Sequence, residues 1–224
     1  MSIKIFIDAG HGGIDSGAVC GTRLEKEDNL KMAIAVGDRL VGKGFKVEYS
    51  RTDDRFVSLQ DRSKMANDFG ADLFLSFHRN AYIRPSANGV EFWINVGVSR
   101  NTIEWANTIY TSVVSTYAQS QRGIKNGTLY VLKNTKMSAV LLEIGFITND
   151  ADNSIFDNYF SRYADAIVES ICLKFGVTER KTTYEVKMGK FDTLDQAKEV
   201  LEKIKTIGLT GEIKESEKVV INNG

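Results

Sequence analysis

The chain has 224 residues and only two histidines, His11 and His78. Each stands just past or at the end of an apolar run, in "FIDAGH" and "FLSFH". Imidazole is the commonest zinc ligand, so two of them converging on one point would hold a metal if a third ligand stood nearby. The stretch "RLEKEDNL" offers Glu25, Glu27 and Asp28. Two neutral histidines and one carboxylate leave a fourth coordination position for water, which is the arrangement of a catalytic rather than a structural zinc. Zinc brings the pKa of that water from about 16 to about 7. A further acid, Glu143, closes the apolar run "AVLLE". A carboxylate at the end of a buried strand is costly unless paired or hydrogen-bonded. A general base beside an activated water accounts for its presence, and the same group could protonate a leaving amine.

These residues need a scaffold that brings distant segments to one edge. Strand-like and helix-like patterns alternate along the chain. Strands are expected over residues 2–8, 45–51, 71–78, 89–96, 128–132 and 139–146, and helices over 28–44, 58–70, 102–119 and 153–176. In the first helix Leu30, Ala33, Ile34, Gly37, Leu40 and Val41 share one face, with Asp28 or Asn29 as cap and Gly44 as terminator. The order predicts an α/β fold, a mostly parallel twisted sheet flanked by helices. In such a sheet the carboxyl ends of the strands lie along one edge, where ligand sites form, so the topology itself carries His11 and His78 together.

Composition narrows the partners. Lysine plus arginine equals aspartate plus glutamate at 29 each, and no basic block supports nucleic-acid or membrane-surface binding. No apolar run reaches the roughly 18 residues of a membrane span. The N-terminus lacks the charged and apolar regions of a signal peptide, so synthesis in the cytoplasm and action after release are expected. "GHGGID" has Asp15 where the third glycine of a dinucleotide loop belongs, which disfavours phosphate binding. Cys20 and Cys172 form no disulfide framework: Cys172 reads as a small buried residue, and Cys20 lies in the glycine-rich loop.

Residues 3–176 resemble the zinc-dependent N-acetylmuramoyl-L-alanine amidases of cell-wall turnover, sporulation and phage lysis. "DAGHGGIDSGA" is similar to the first metal motif of that family and "ADLFLSFHRNA" to the second histidine motif. "EKEDNL" is similar to the segment whose glutamate, five residues before the helix leucine, binds zinc. The resemblance implies His11, Glu25 and His78 as zinc ligands and Glu143, in "AVLLEIGFITND", as the catalytic base. It implies Asn80 as a substrate contact and Arg51 and Arg62 as structural arginines. Arg79 departs from the family pattern and is expected to meet acidic groups of the substrate. The implied reaction is hydrolysis of the amide between the lactyl group of N-acetylmuramic acid and L-alanine in peptidoglycan. A silent peptidoglycan-binding protein and a zinc peptidase acting within the stem peptide are the competing readings.

Past residue 177 the pattern changes. Residues 178–182 read as a linker, and 183–224 as a small βαβ unit resembling half of a SPOR (sporulation-related) peptidoglycan-binding repeat. So short a unit buries little apolar surface alone. It is expected to bind the wall, or to pair with a second copy as a homodimer. Action on the wall would follow phage lysis or lysis of a mother cell.

Overall fold

A computed structural model describes residues 2–117, 120–177, 190–206 and 213. The chain divides into two compact units, residues 1–179 and 180–224. In the first, six strands form one sheet: β1 (Lys4–Ala9), β4 (Lys46–Tyr49), β5 (Leu73–Asn80), β6 (Val90–Ile94), β7 (Gln121–Asn126) and β8 (Ser138–Phe146), in the order β4-β1-β5-β8-β6-β7. Strands β4, β1, β5 and β8 run parallel, β6 is antiparallel to β8, and β7 is parallel to β6. The sheet is therefore mixed but mostly parallel, as expected. A two-stranded ribbon, β2 (Val19–Cys20) with β3 (Arg23–Leu24), follows β1.

Alternation along the central strands builds two cores. Ile5, Ile7, Leu73, Leu75, Val140 and Leu142 face α1 (Glu25–Gly42), α3 (Arg100–Thr116) and α5 (Asp150–Lys174). Phe6, Phe74, Ala139 and Leu141 point the other way, against α2 (Leu59–Phe69) and the short α4 (Tyr130–Lys133). A strand covered on both faces must be apolar at nearly every position, and β1, β5 and β8 are. The period of two then sets Ser76 and His78 of β5, and Glu143 of β8, on the Phe74 side.

Two local expectations change. Residues 128–132 are not a strand: Lys133 N donates to Leu129 O at 2.9 Å, closing a helical turn that buries Val131 and Leu132. The strand is instead "QRGIKN", an edge strand whose polar residues hide it from a hydrophobicity pattern. Neither Asp28 nor Asn29 caps α1; the helix begins at Glu25 after Leu24, without a side-chain cap.

The second unit contains helix α6 (Leu194–Thr206), where a helix is expected. Its start is marked by Gln196 N donating to Thr193 Oγ1 at 3.3 Å. The strands expected on either side of it lie outside the described residues. Among the described residues no helix is long and apolar enough to cross a membrane.

Candidate metal and catalytic site

β1 and β5 are adjacent in the sheet, so the loop after β1 and the carboxyl end of β5 bring His11 and His78 together. Their rings meet edge to face with centroids 5.0 Å apart. Glu25, the first residue of α1, places Oε1 3.2 Å from His11 Nε2 and 2.9 Å from His78 Nδ1. Donor atoms of the three residues all lie within 4.8 Å of one another. The other carboxylates of the segment are elsewhere. Glu27 is exposed, and Asp28 is bound to Arg23 and Arg79.

Glu25 is held from several sides. Its Oε2 accepts from Ala18 N at 2.8 Å, and its Oε1 accepts from Asn29 Nδ2 at 3.1 Å and Arg79 N at 3.2 Å. Its place in the first helical turn adds a favourable dipole interaction. Burial alone would raise its carboxyl, but hydrogen bonds to His11 and His78 hold it well below the usual carboxylate range. Burial alone would lower the His11 imidazole, yet Glu25 and Asp15 raise it to about 9. His11 Nδ1 meets Asp15 Oδ2 at 2.9 Å, which leaves Nε2 directed at Glu25. Such an outer carboxylate fixes the ring and tautomer of a ligating histidine.

The glycines of the first motif have a steric reason. A Cβ on Gly10 would stand 2.8 Å from His78 Nδ1 and closer still to the rest of that ring edge. On Gly17, at φ +63°, it would stand 2.6 Å from Glu25 Oε2 and from His11 Cδ2. The loop backbone thus packs directly on the side chains of His11, Glu25 and His78. His11 itself has φ 60°, a left-handed conformation costly for a non-glycine residue and typical of functional sites.

Arg62 of α2 and Asp8 form a buried pair at 2.7 Å under the loop, and Ser76 Oγ donates to the same carboxylate. Arg62 also donates to His11 O at 2.7 Å, and Arg51 to Gly10 O at 2.9 Å. Both arginines tie down the histidine loop from beneath.

Glu143 stands opposite His78 in the β5–β8 register and opposite Glu91 in the β6–β8 register. Among the described residues its Oε2 is buried without a hydrogen-bond partner. Burial pushes its carboxyl up to about 7, and the charges of Glu25 and Glu91 add to that rise against the opposing histidines. A buried acid left unpaired beside two histidines and a carboxylate suits a cation between them, so the donor set fits a metal such as zinc. A pKa near neutrality suits a general base.

Arg79 is enclosed in the fold behind the cluster. Its side chain is buried, with Nη1 2.6 Å from Asp28 Oδ2, Nη2 2.7 Å from Asn153 Oδ1, and the guanidinium 4.2 Å above the Phe156 ring. β5 sends this side chain inward while His78 faces the site, and it is the Arg79 backbone N–H that donates to Glu25 Oε1. Asn80 lines an open cleft of about 440 Å³ with Tyr82, Glu91, Arg122 and Phe146, and Glu91 stands opposite Glu143 in the β6–β8 ladder. Asp15, read in the sequence only as the residue that breaks a dinucleotide loop, and Glu91, not singled out there, both adjoin the cluster. A carboxylate four residues after a candidate ligand was a usable signal for Asp15; Glu91 is recognisable only from strand register.

Comparison with known proteins identifies the family. The N-acetylmuramoyl-L-alanine amidase family profile matches residues 5–172. The sporulation-specific N-acetylmuramoyl-L-alanine amidase of Bacillus subtilis (strain 168) is 34% identical over 197 residues, spanning 84% of this chain and 75% of that protein. The crystal structure of an N-acetylmuramoyl-L-alanine amidase from Clostridium difficile 630 superposes with a TM-score of 0.75 at 34% identity, covering 80% of this chain and 99% of that one. The catalytic domain of CwlV, an amidase of Bacillus (Paenibacillus) polymyxa var. colistinus, gives 0.74 at 31% identity over 80% of this chain and all of its own. With the profile spanning residues 5–172 and a relative 34% identical over most of both chains, this chain belongs to the N-acetylmuramoyl-L-alanine amidase family.

Proposed function

We propose that this chain hydrolyses the amide joining the lactyl group of N-acetylmuramic acid to L-alanine in peptidoglycan, with zinc held by His11, Glu25 and His78 and with Glu143 as general base. The observation that carries the reading is the buried, unpartnered Oε2 of Glu143 on the strand beside His78. Zinc in a set of two imidazoles and a carboxylate supplies a Lewis acid that lets water ionise near neutral pH and polarises a carbonyl. The chain does the rest. Glu143 takes the proton of the attacking water and returns it to the departing alanine nitrogen. Asp15 keeps His11 Nε2 turned inward. Asn29, Ala18 N and Arg79 N keep the Glu25 carboxylate in place as charge moves. Asn80, at the mouth of the neighbouring cleft, contacts the substrate.

The reading extends to domains: residues 1–177 catalytic, 178–182 a linker, and 183–224 a wall-binding or pairing unit that keeps the enzyme on its polymer. Light scattering at micromolar concentration reads the pairing directly, a dimer supporting it and a monomer opposing it. Product analysis on purified walls tests the reaction. New L-alanine amines with intact muramic acid are expected. New amines on other residues would make the chain a peptidase, and wall binding without new amines a silent binder.

A further inference from the structure

The cleft lined by Asn80 and Glu91 contains a cation that the reaction above leaves without a task. Arg122 belongs to β7, and its Nε donates to Glu91 Oε2 at 2.6 Å. The other Glu91 oxygen accepts from Asn80 Nδ2 at 2.8 Å, so both carboxylate oxygens are engaged. Glu91 keeps 7% of its side-chain surface exposed and Arg122 keeps 40%. Among the described residues the two terminal nitrogens of Arg122 have no hydrogen-bond partner, and the guanidinium stacks 4.9 Å from the Phe146 ring.

The backbone aims this residue deliberately. In the β6–β7 ladder Val90 pairs with Gln121 and Glu91 with Gly123, so Arg122 is the extra residue of a bulge. Bulges are rare between parallel strands and re-aim a side chain where they occur. Gly123, at φ +81°, sustains the bulge, and its N–H donates to Tyr110 Oη at 2.7 Å.

A guanidinium gripped through Nε presents its remaining edge as a fork that matches a carboxylate in two parallel hydrogen bonds. We propose that Arg122 is a specificity-determining residue that receives a carboxylate of the stem peptide while Glu143 faces the scissile amide. The proposal rests on the amidase reading, which puts the peptide in this cleft. Two carboxylates qualify: the α-carboxyl of the second, γ-linked D-glutamyl residue, and the free end of a short stem.

Three muramoyl tripeptides separate them: L-alanyl-γ-D-glutamyl-L-lysine, the same compound with the glutamyl α-carboxamide, and the same compound ending in lysinamide. Binding is measured by calorimetry to the zinc-loaded full chain carrying Glu143→Gln, alone and with Arg122→Gln or Arg122→Lys. The parent compound should bind about tenfold or more tightly than one of the two amides, which identifies the carboxylate. Arg122→Gln should bring that ratio to about one, and Arg122→Lys should keep part of it. Each ratio is internal to one variant, so a general loss of affinity does not mimic the effect. Equal binding of all three compounds by the arginine-containing chain, or an unchanged ratio in Arg122→Gln, would overturn the proposal. Release of L-alanine amines from the parent compound by the chain with Glu143 intact reads the amidase assignment separately: selective binding without release refutes the reaction and leaves the carboxylate receptor standing.

Discussion

Asp15 Oδ2 lies 2.9 Å from His11 Nδ1, and the opposite nitrogen of the same ring lies 3.2 Å from Glu25 Oε1. The ring is clamped between the carboxylates of Asp15 and Glu25. If His11 binds metal through Nε2, Asp15→Ala should weaken zinc binding about 10- to 100-fold, the range for loss of an outer-shell partner. Asp15→Asn should retain part of the affinity, since it can still accept one hydrogen bond. Competition with a chromophoric chelator measures both.

Gly10 is required for space. A Cβ there enters the His78 ring edge, with Nδ1 2.8 Å away. Gly10→Ala should cost about 1–3 kcal/mol through overpacking and should weaken zinc binding by displacing His78. Gly44 is the informative control, because a Cβ there meets open space and only φ +89° is unfavourable. Gly44→Ala should cost about 1 kcal/mol and leave zinc binding unchanged. Urea melts with a parallel zinc titration separate the two mechanisms.

The Asp8–Arg62 pair is fully enclosed, with the two side chains 1% and 3% exposed. Asp8→Ala should destabilise the chain by about 3–5 kcal/mol, because Arg62 is left buried and uncompensated. Burial alone would raise the Asp8 carboxyl, but Arg62 and Ser76 outweigh it and hold it below the usual range. The pair's contribution is therefore present above the ordinary carboxylate pKa and lost as pH falls through the depressed one. Melting the variant and the parent at pH 7 and at strongly acidic pH should show the gap narrowing in acid.

Glu143 has the opposite sign. In the metal-free chain its carboxyl is pushed up from 4.5 to about 7. Folding with this residue neutral is favoured below the unfolded value, and that advantage is lost as pH rises through about 7. Glu143→Gln should match the parent in stability near pH 4 and exceed it near pH 8 by on the order of 3 kcal/mol. Equal thermal midpoints at pH 8 would show that the acid is less enclosed than its position implies.

The strands that carry the site were the most readable part of the sequence, for one reason. β1, β5 and β8 are buried on both faces, so their apolar runs stand out and the residues that break them, His78 and Glu143, announce themselves. β7 lies at the edge, is largely polar, and gave no such contrast. Glu25 could not be separated from Glu27 and Asp28 by residue type. What separates them is the angle at which each leaves the first turn of α1, which depends on where that helix begins. Arg79 follows a candidate ligand and so suggested substrate contact, but the alternation of β5 turns it inward to Asp28 and Asn153. The last of these is 74 positions away along the chain. Such partners are set by tertiary packing and leave no local trace.

The central claim is that the metal and the base are separate parts of one amidase centre. The most direct measurement is zinc content together with new L-alanine amines from purified walls, for the parent chain and Glu143→Ala. The account predicts about one zinc per chain in both, with amines released by the parent alone. Absence of zinc in the active parent, or undiminished release by Glu143→Ala, would contradict it.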